Sequence, residues 1–260
     1  MPYAGGKQRI ADRIVALFPT HTHYVEPYFG AGSVLLAKPP SDLETINDLN
    51  NDLMIFWRVL REQPAELHRV CALTPHSRTE LKIADDRVGL PDLEIARRVW
   101  VKLTQGRAAR MDADGWRYVR RQATSIPTYL AGYVGRFSAV AERLARVSLE
   151  CRPAIDVISN YGRDDTSLLY LDPPYLGDRY RAYEHEMMDI ASHEELLAAI
   201  AECSAMVAIS GYRTAIYDQA LREWYRVDIP ASNLNRDLRI ESVWLNYTPP
   251  ADTLPLEASA

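Results

Sequence analysis

Cysteine is scarce in this chain. There are three in 260 residues, Cys71, Cys151 and Cys203, far apart and odd in number. That excludes a disulfide framework and any C-x-x-C metal site, and it fits a reducing cytoplasm. The six histidines form no H-E-x-x-H or similar spacing, so no structural or catalytic metal is expected. No apolar run approaches the ~20 residues that a membrane helix needs. The N-terminus, Met1-Pro2-Tyr3-Ala4-Gly5-Gly6-Lys7, carries no secretory signal pattern. A cytoplasmic protein with no membrane partner is expected.

What is present is an ordinary globular composition, 47% hydrophobic and 25% charged. It can bury a sizeable core as one large domain, or as one domain with an insertion. The net charge of −5 argues at first against nucleic acid, but its distribution reverses that inference. Residues 95–146 hold ten arginines and one lysine against Asp112, Asp114 and Glu142, a local +8, which leaves −13 on the remainder. A strongly basic block on an acidic body can steer a polyanion; a merely solvated helical surface would look the same.

Hydrophobic periodicity predicts a helix over Lys7–Phe18, a strand over Tyr24–Glu26, a short helix over Val34–Ala37, a strand over Thr45–Asn47, and a helix from Asn50 to about Leu60. Residues 61–146 then read as helices alone: Pro64–Val70, Thr79–Val88 and Leu93–Leu103. After these come a polar loop, Thr104–Gly115, a tyrosine- and arginine-rich connection, and a last helix marked by Phe137, Val140, Leu144 and Val147. This is a helical insertion, large enough to form a small domain. Strands resume at Val147–Cys151, Leu168–Leu171, Ala205–Ile209, Tyr225–Ile229 and Ile240–Leu245, with a helix around Leu196, Leu197 and Ile200. Seven strands with helices between most of them imply an α/β fold with a mainly parallel sheet. The last two, with no helix between them, are expected to pair antiparallel at an edge.

Two stretches carry chemistry. In Leu168-Leu169-Tyr170-Leu171-Asp172-Pro173-Pro174-Tyr175 an apolar strand runs into two prolines that cannot donate to a sheet ladder. The strand must stop there, and Asp172 is held at its carboxyl end, where α/β sheets bind ligands. Asp172 and the Pro173 carbonyl can accept the two hydrogens of a planar amine, while the Tyr175 ring stacks on its plane. The second stretch is Phe29-Gly30-Ala31-Gly32 after the first strand, a nucleotide-type loop, with Asp48 lying 22 residues beyond Glu26 at the end of the next strand, as for an acid on a ribose. A dinucleotide dehydrogenase would share that pattern. Against one stand the missing third glycine, which would fall at Leu35, and Glu26-Pro27, whose carboxylate suits a cationic ligand.

Taken together, the chain resembles the DNA adenine methylases of the alpha motif order. The resemblance rests on Tyr3-Ala4-Gly5-Gly6-Lys7, on Glu26-Pro27-Tyr28-Phe29-Gly30-Ala31-Gly32-Ser33, on Ile46-Asn47-Asp48-Leu49-Asn50, on Asp156, on Asp172-Pro173-Pro174-Tyr175, and on the late segments Ile209–Tyr212 and Glu241–Tyr247. Two departures are visible. Tyr3 stands where many members have Trp, and Gln105–Asp112 matches the family's Gly-x-x-Arg-x-Asn segment only loosely.

The resemblance implies a Rossmann-like methyltransferase domain from residues 1–60 and 147–260 and a target-recognition domain inserted at 61–146. It implies methyl transfer from S-adenosylmethionine to the exocyclic amine of adenine in double-stranded DNA, by base flipping and direct displacement, by a monomer. It specifies no accompanying restriction endonuclease. Asp172, Pro173, Pro174 and Tyr175 would be catalytic. Tyr3, Ala4, Gly5, Lys7, Glu26, Phe29, Gly30, Ala31, Gly32, Ser33, Asp48, Asp156 and Asp172 would hold the cofactor. Arg107, Arg110, Arg117, Arg120 and Arg121, clustered near Trp116 and Tyr118, are the expected DNA contacts. The rivals are methylation of a cytosine amine or a glutamine amide, and a non-catalytic DNA-binding relative. The absence of any Pro-Cys pair fits amine chemistry, since methylation at a pyrimidine ring carbon needs a cysteine nucleophile.

Overall fold

The computed structural model describes residues 2–3, 5–111, 115–118, 125–176, 189–232 and 238–251. Its strands are β1 His23–Glu26, β2 Leu43–Asn47, β3 Ser148–Glu150, β4 Ser167–Leu171, β5 Met206–Gly211, β6 Tyr225–Ser232 and β7 Leu238–Leu245. They form a seven-stranded sheet in the order β3-β2-β1-β4-β5-β7-β6. β1 pairs parallel with β2 and β4, and β4 with β5. β7 runs antiparallel to β5 and β6, which makes the expected antiparallel pair at one edge. The α/β fold and the mainly parallel sheet read from the sequence are therefore present. β4 is buried along its whole length, which is why its sequence runs apolar without alternation.

The helices are α1 Ala11–Val15, α2 Ser33–Ala37, α3 Asn51–Glu62, α4 Pro64–Leu73, α5 Arg78–Ile83, α6 Asp92–Gln105, α7 Ile126–Val134, α8 Phe137–Leu144, α9 Ala154–Tyr161, α10 Ile190–Ala201 and α11 Ala215–Ala220. Several boundaries differ from expectation, each for a physical reason. α1 is shorter than Lys7–Phe18 because residues 7–10 close a tight turn, Ile10 N–H donating to Lys7 O. α5 stops at Ile83 rather than Val88. Arginine side chains take its last carbonyls, Arg98 donating to Ile83 O and Arg87 to Ala84 O. α6 runs on through Thr104 and Gln105, both buried, so the polar loop starts at Gly106. α7 lies in the stretch read as a connection. Ser125 Oγ accepts Thr128 N–H, and Pro127 stands in its first turn. α9 and α11 were also hidden by their brevity.

By contacts the described residues fall into two units. One is residues 50–151 with the segment before Lys7, and the other is the remainder from Lys7 onward. The core of the second packs Leu169 and Leu171 of β4, Val207 and Ile209 of β5 and Trp244 of β7 against Leu196 and Leu197 of α10. In the first unit Phe56 and Trp57 of α3 meet edge to face, and Phe56 meets Phe137 of α8 in the same manner.

Candidate active site

The sheet order reverses between β1 and β4: the chain runs outward through β2 and β3 on one side and through β5 on the other. Ligands in α/β sheets bind outside the strand carboxyl ends at such a switch point. Glu26, Asp48 and Asp172 lie at or just past the carboxyl ends of the three neighbouring strands β1, β2 and β4.

The loop after β1 is fixed by its own backbone. Phe29 N–H donates to Asn47 O at 2.8 Å, and Gly30 N–H donates to Asp48 Oδ2 at 2.8 Å. Gly32 is required twice over. Its φ is +65°, and a Cβ there would lie 2.4 Å from the Phe29 ring. Ala31 and Phe29 are buried beneath the turn, and Ser33 begins α2. Asn47 ties the next element in. Its Nδ2 donates to Pro27 O and Arg152 O, and its Oδ1 accepts Arg152 N–H. That anchors the entry to α9 beside the end of β2. Asp156, in the first turn of α9, is half exposed and 3.8 Å from Arg152 Nη2. Glu26 is 2% exposed and accepts the Tyr24 hydroxyl at 2.9 Å. Burial, with the charge of Asp172 added, pushes its carboxyl up to about 8, against the pull of the Tyr24 bond.

Asp172 is the centre of a four-residue cluster. Lys7 Nζ lies 2.8 Å from Asp172 Oδ1 and 3.5 Å from Glu241 Oε1 of β7. The Tyr175 hydroxyl donates to Asp172 Oδ1 at 2.9 Å and is in hydrogen-bond contact with Glu241 Oε1. The same ammonium sits 4.8 Å from the centroid of the Tyr175 ring, and Tyr212 meets that ring edge-on at 4.7 Å. Burial pulls the Lys7 amine down, but Asp172 and Glu241 outweigh it and hold it above its ordinary value. Burial raises the Glu241 carboxyl, against the pull of Lys7. It also raises the Tyr175 hydroxyl, with Asp172 and Glu241 adding to the shift.

Lys7, Asp172 and Tyr175, foreseen as site residues, are thus brought together. The Tyr175 ring, expected to be open to a substrate, is turned onto this cluster. Pro173 is buried and Pro174 half-buried, and burial lowers the imidazole of His193 in α10, against the opposing pull of the Pro174 carbonyl. Tyr3 accepts Gly6 N–H at its carbonyl, and Gly5 has φ +75°; both belong to the other unit, and Ala4 lies outside the described residues. Glu241, Tyr212 and His193 were missed as site residues. The available signal was an acid at Glu241 inside a strand otherwise apolar enough to be buried.

The arginine region lies in the first unit. Gly106 and Trp116 form an antiparallel bridge, with Arg107 N–H on Gly115 O and Arg117 N–H on Gln105 O, both at 2.7 Å. Gln105, buried at the end of α6, accepts Ser77 N–H and donates to Pro75 O, so the residues before α5 are clamped beside this ladder. His76 stacks on Trp116 at 4.3 Å, and the Arg78 guanidinium lies 4.4 Å from the Trp116 ring. Arg107 is exposed, Arg110 is half-buried, and the Arg117 guanidinium lies 4.5 Å over the Tyr129 ring. Arg120 and Arg121 fall outside the described residues. Ala108 and Ala109, at φ 61° and 52°, are held in the left-handed region between the two arms.

A mainly parallel sheet with a glycine loop after its first strand and Asp-Pro-Pro-Tyr at the end of its fourth defines the class: an α/β protein with a ligand site at the strand carboxyl ends. Comparison with known proteins narrows it. The family model of the D12 class N6 adenine-specific DNA methyltransferases matches residues 3–84 and 135–237, and the chain belongs to that family. A Type II methyltransferase of Lactococcus lactis subsp. cremoris, M1.LlaDCHI, is 24% identical over 211 residues, covering 71% of this chain and 69% of the relative. Among solved structures, an rRNA methylase from Streptococcus thermophilus overlays at a TM-score of 0.39 with 10% identity, covering 90% of this chain and 92% of the other. The rRNA methyltransferase aviRa from Streptomyces viridochromogenes overlays at 0.37 with 16% identity, covering 96% and 85%. The chain is an adenine-specific DNA methyltransferase whose substrate is DNA and whose chemistry requires a methyl donor. Among the described residues no helix is long and apolar enough to cross a membrane.

Proposed function

We propose that the methyl donor is S-adenosylmethionine and that the acceptor is the N6 amine of an adenine swung out of double-stranded DNA. The observation that carries this is the Asp172–Tyr175 cluster at the sheet's switch point, in which an acceptor carboxylate at a strand end is surrounded by donors. The loop after β1 fits the donor: Gly30 and Gly32, at φ +48° and +65°, leave its backbone bare of side chains for a nucleoside, and Asp48 stands beside it at the end of β2. When bound, S-adenosylmethionine supplies an electrophilic methyl group.

The rest is done by the chain. The Phe29–Ser33 loop and Asp48 hold the nucleoside part, with Asp48 as the ribose acceptor, and Asp156 lies toward the adenine. Glu26 and Lys7 complete the binding surface. The adenine leaves its stack at a cost of a few kcal/mol. Asp172 and the Pro173 carbonyl accept the two hydrogens of its amine, and Pro174 keeps the turn stiff. The nitrogen lone pair is drawn out of ring conjugation and aimed at the methyl carbon. Tyr175 supplies the stacking plane, which requires its ring to turn from its present contact with Lys7. The amine proton released after transfer passes to Asp172, which is partly open to water. Positioning and electrostatics provide most of the rate.

Residues 61–146 form the target-recognition domain, with Arg107, Arg110, Arg117, Arg120 and Arg121 toward the DNA. Tritiated S-adenosylmethionine with DNA from a methylation-free host, followed by nucleoside analysis, tests the reading: label is expected in N6-methyladenine. Asp172→Ala should abolish transfer, a loss of at least about 10³-fold, while leaving cofactor and DNA affinity within about threefold. Turnover within about tenfold of wild type would remove Asp172 from the chemistry.

A further inference from the structure

The Lys7 ammonium stands between two carboxylates. It touches Asp172 Oδ1 at 2.8 Å and lies 3.5 Å from Glu241 Oε1, and Lys7 is 5% exposed. Asp172 Oδ1 therefore accepts from Lys7 and Tyr175 at once. An amine hydrogen brought to that oxygen competes with both. A buried ammonium cannot simply be released, since an unpaired buried charge is strongly destabilising. Glu241 is the other carboxylate within reach. The sheet fixes its place: it is 6% exposed, it pairs with Ile229 across β6 and β7, and the neighbouring Ser242 is bonded to Asp228.

We propose that Glu241 is a positioning residue: it takes over the Lys7 ammonium when the target amine engages Asp172, so that Asp172 meets the amine with its charge uncommitted. This rests on the reading of Asp172 as the amine acceptor. Without Glu241, Lys7 stays on Asp172 and cancels the charge that polarises the amine. The loss then falls on turnover rather than on binding.

The test uses the full chain, unmethylated genomic DNA and labelled S-adenosylmethionine, with Glu241→Gln, Glu241→Asp and Asp172→Asn beside wild type. A second readout is independent of activity. The chain has only four lysines, Lys7, Lys38, Lys82 and Lys102, so ¹³Cε-lysine NMR can follow Lys7, with Lys7→Arg identifying its signal. Glu241→Gln is expected to lower kcat about tenfold or more, leave KM for DNA and Kd for the cofactor within about threefold, and move the Lys7 titration midpoint down. Glu241→Asp, which keeps the charge, should recover the Lys7 midpoint and part of kcat. A Gln variant with wild-type kcat, or with an unmoved Lys7 midpoint, overturns the proposal. Should the Gln variant fail to fold, the Asp variant decides. Retained Lys7 midpoint and kcat within about tenfold support the proposal, and a retained midpoint with abolished turnover overturns it. If Asp172→Asn keeps turnover, the underlying reading fails; if it is inactive while Glu241→Gln is normal, only the role of Glu241 fails.

Discussion

Glu26 ends β1 as a buried acid with a carboxyl raised to about 8 from an ordinary 4.5, chiefly by burial. Folding therefore keeps a proton on it between those values, where the unfolded chain would release it. Since the unfolded state binds fewer protons there, stability falls as pH rises from 4.5 to 8, and the full penalty stands above 8. Glu26→Gln removes the titration. It should match wild type near pH 4.5 and exceed it by on the order of a few kcal/mol near pH 9. Urea unfolding at both ends of the range measures this, and an equal difference at both would show that folding does not raise the Glu26 carboxyl. The residues of the site were unequally visible in the sequence. Asp172 was legible because two prolines after an apolar strand leave one place for it. Lys7 came only through a family motif, and Glu241 not as a site residue at all, because its role depends on β7 lying beside β5, a pairing no local pattern encodes.

At the scale of elements, the loop between β1 and α2 is the most constrained part of the site. Gly32→Ala sets a Cβ against the Phe29 ring at 2.4 Å and forces a side-chain residue into φ +65°. The ring must move, yet Phe29 is buried and its N–H is bonded to the end of β2. The expected cost is about 1–3 kcal/mol in stability together with weakened cofactor binding. Thermal melts and calorimetry with S-adenosylmethionine check it, and a variant that binds and melts as wild type would remove the loop from the cofactor site. The strands were legible because β4 is uniformly apolar and the two last strands have no helix between them. The short helices were not. α9 and α11, of eight and six residues, give too few turns for a period to emerge. α7 opens with proline and carries an apolar composition that reads equally as a strand or a connection.

The molecule as a whole is acidic, at −5, with a +8 block over residues 95–146. Net charge alone would place DNA among the unfavourable partners, whereas the family places DNA as the substrate. The two agree if the basic block carries the contact. Part of that charge is already engaged within the fold: Arg97 and Arg98 bind Glu94, and Lys102 lies 2.5 Å from Asp85. Arg107, at the exposed turn after α6, and Arg117, on the Tyr129 ring, are differently placed. An arginine on a phosphate displaces a condensed counterion, so each one changed to Ala should weaken binding to all sequences alike and lower the log–log salt slope by about one. A base-reading arginine should instead cost about 1–3 kcal/mol at one position of the site and relax specificity there. Arg107 or Arg110 is expected to behave as a reader, and Arg120 and Arg121 as phosphate contacts. Arg117 should show the smaller effect on DNA, because its guanidinium also holds the Tyr129 ring, and its loss should register in the melting temperature as well. Fluorescence anisotropy across a salt series, on single variants and on the five together, measures both quantities. A fivefold variant with unchanged affinity and slope would move the DNA face away from residues 104–121, and with it the explanation of how an acidic protein holds an acidic polymer.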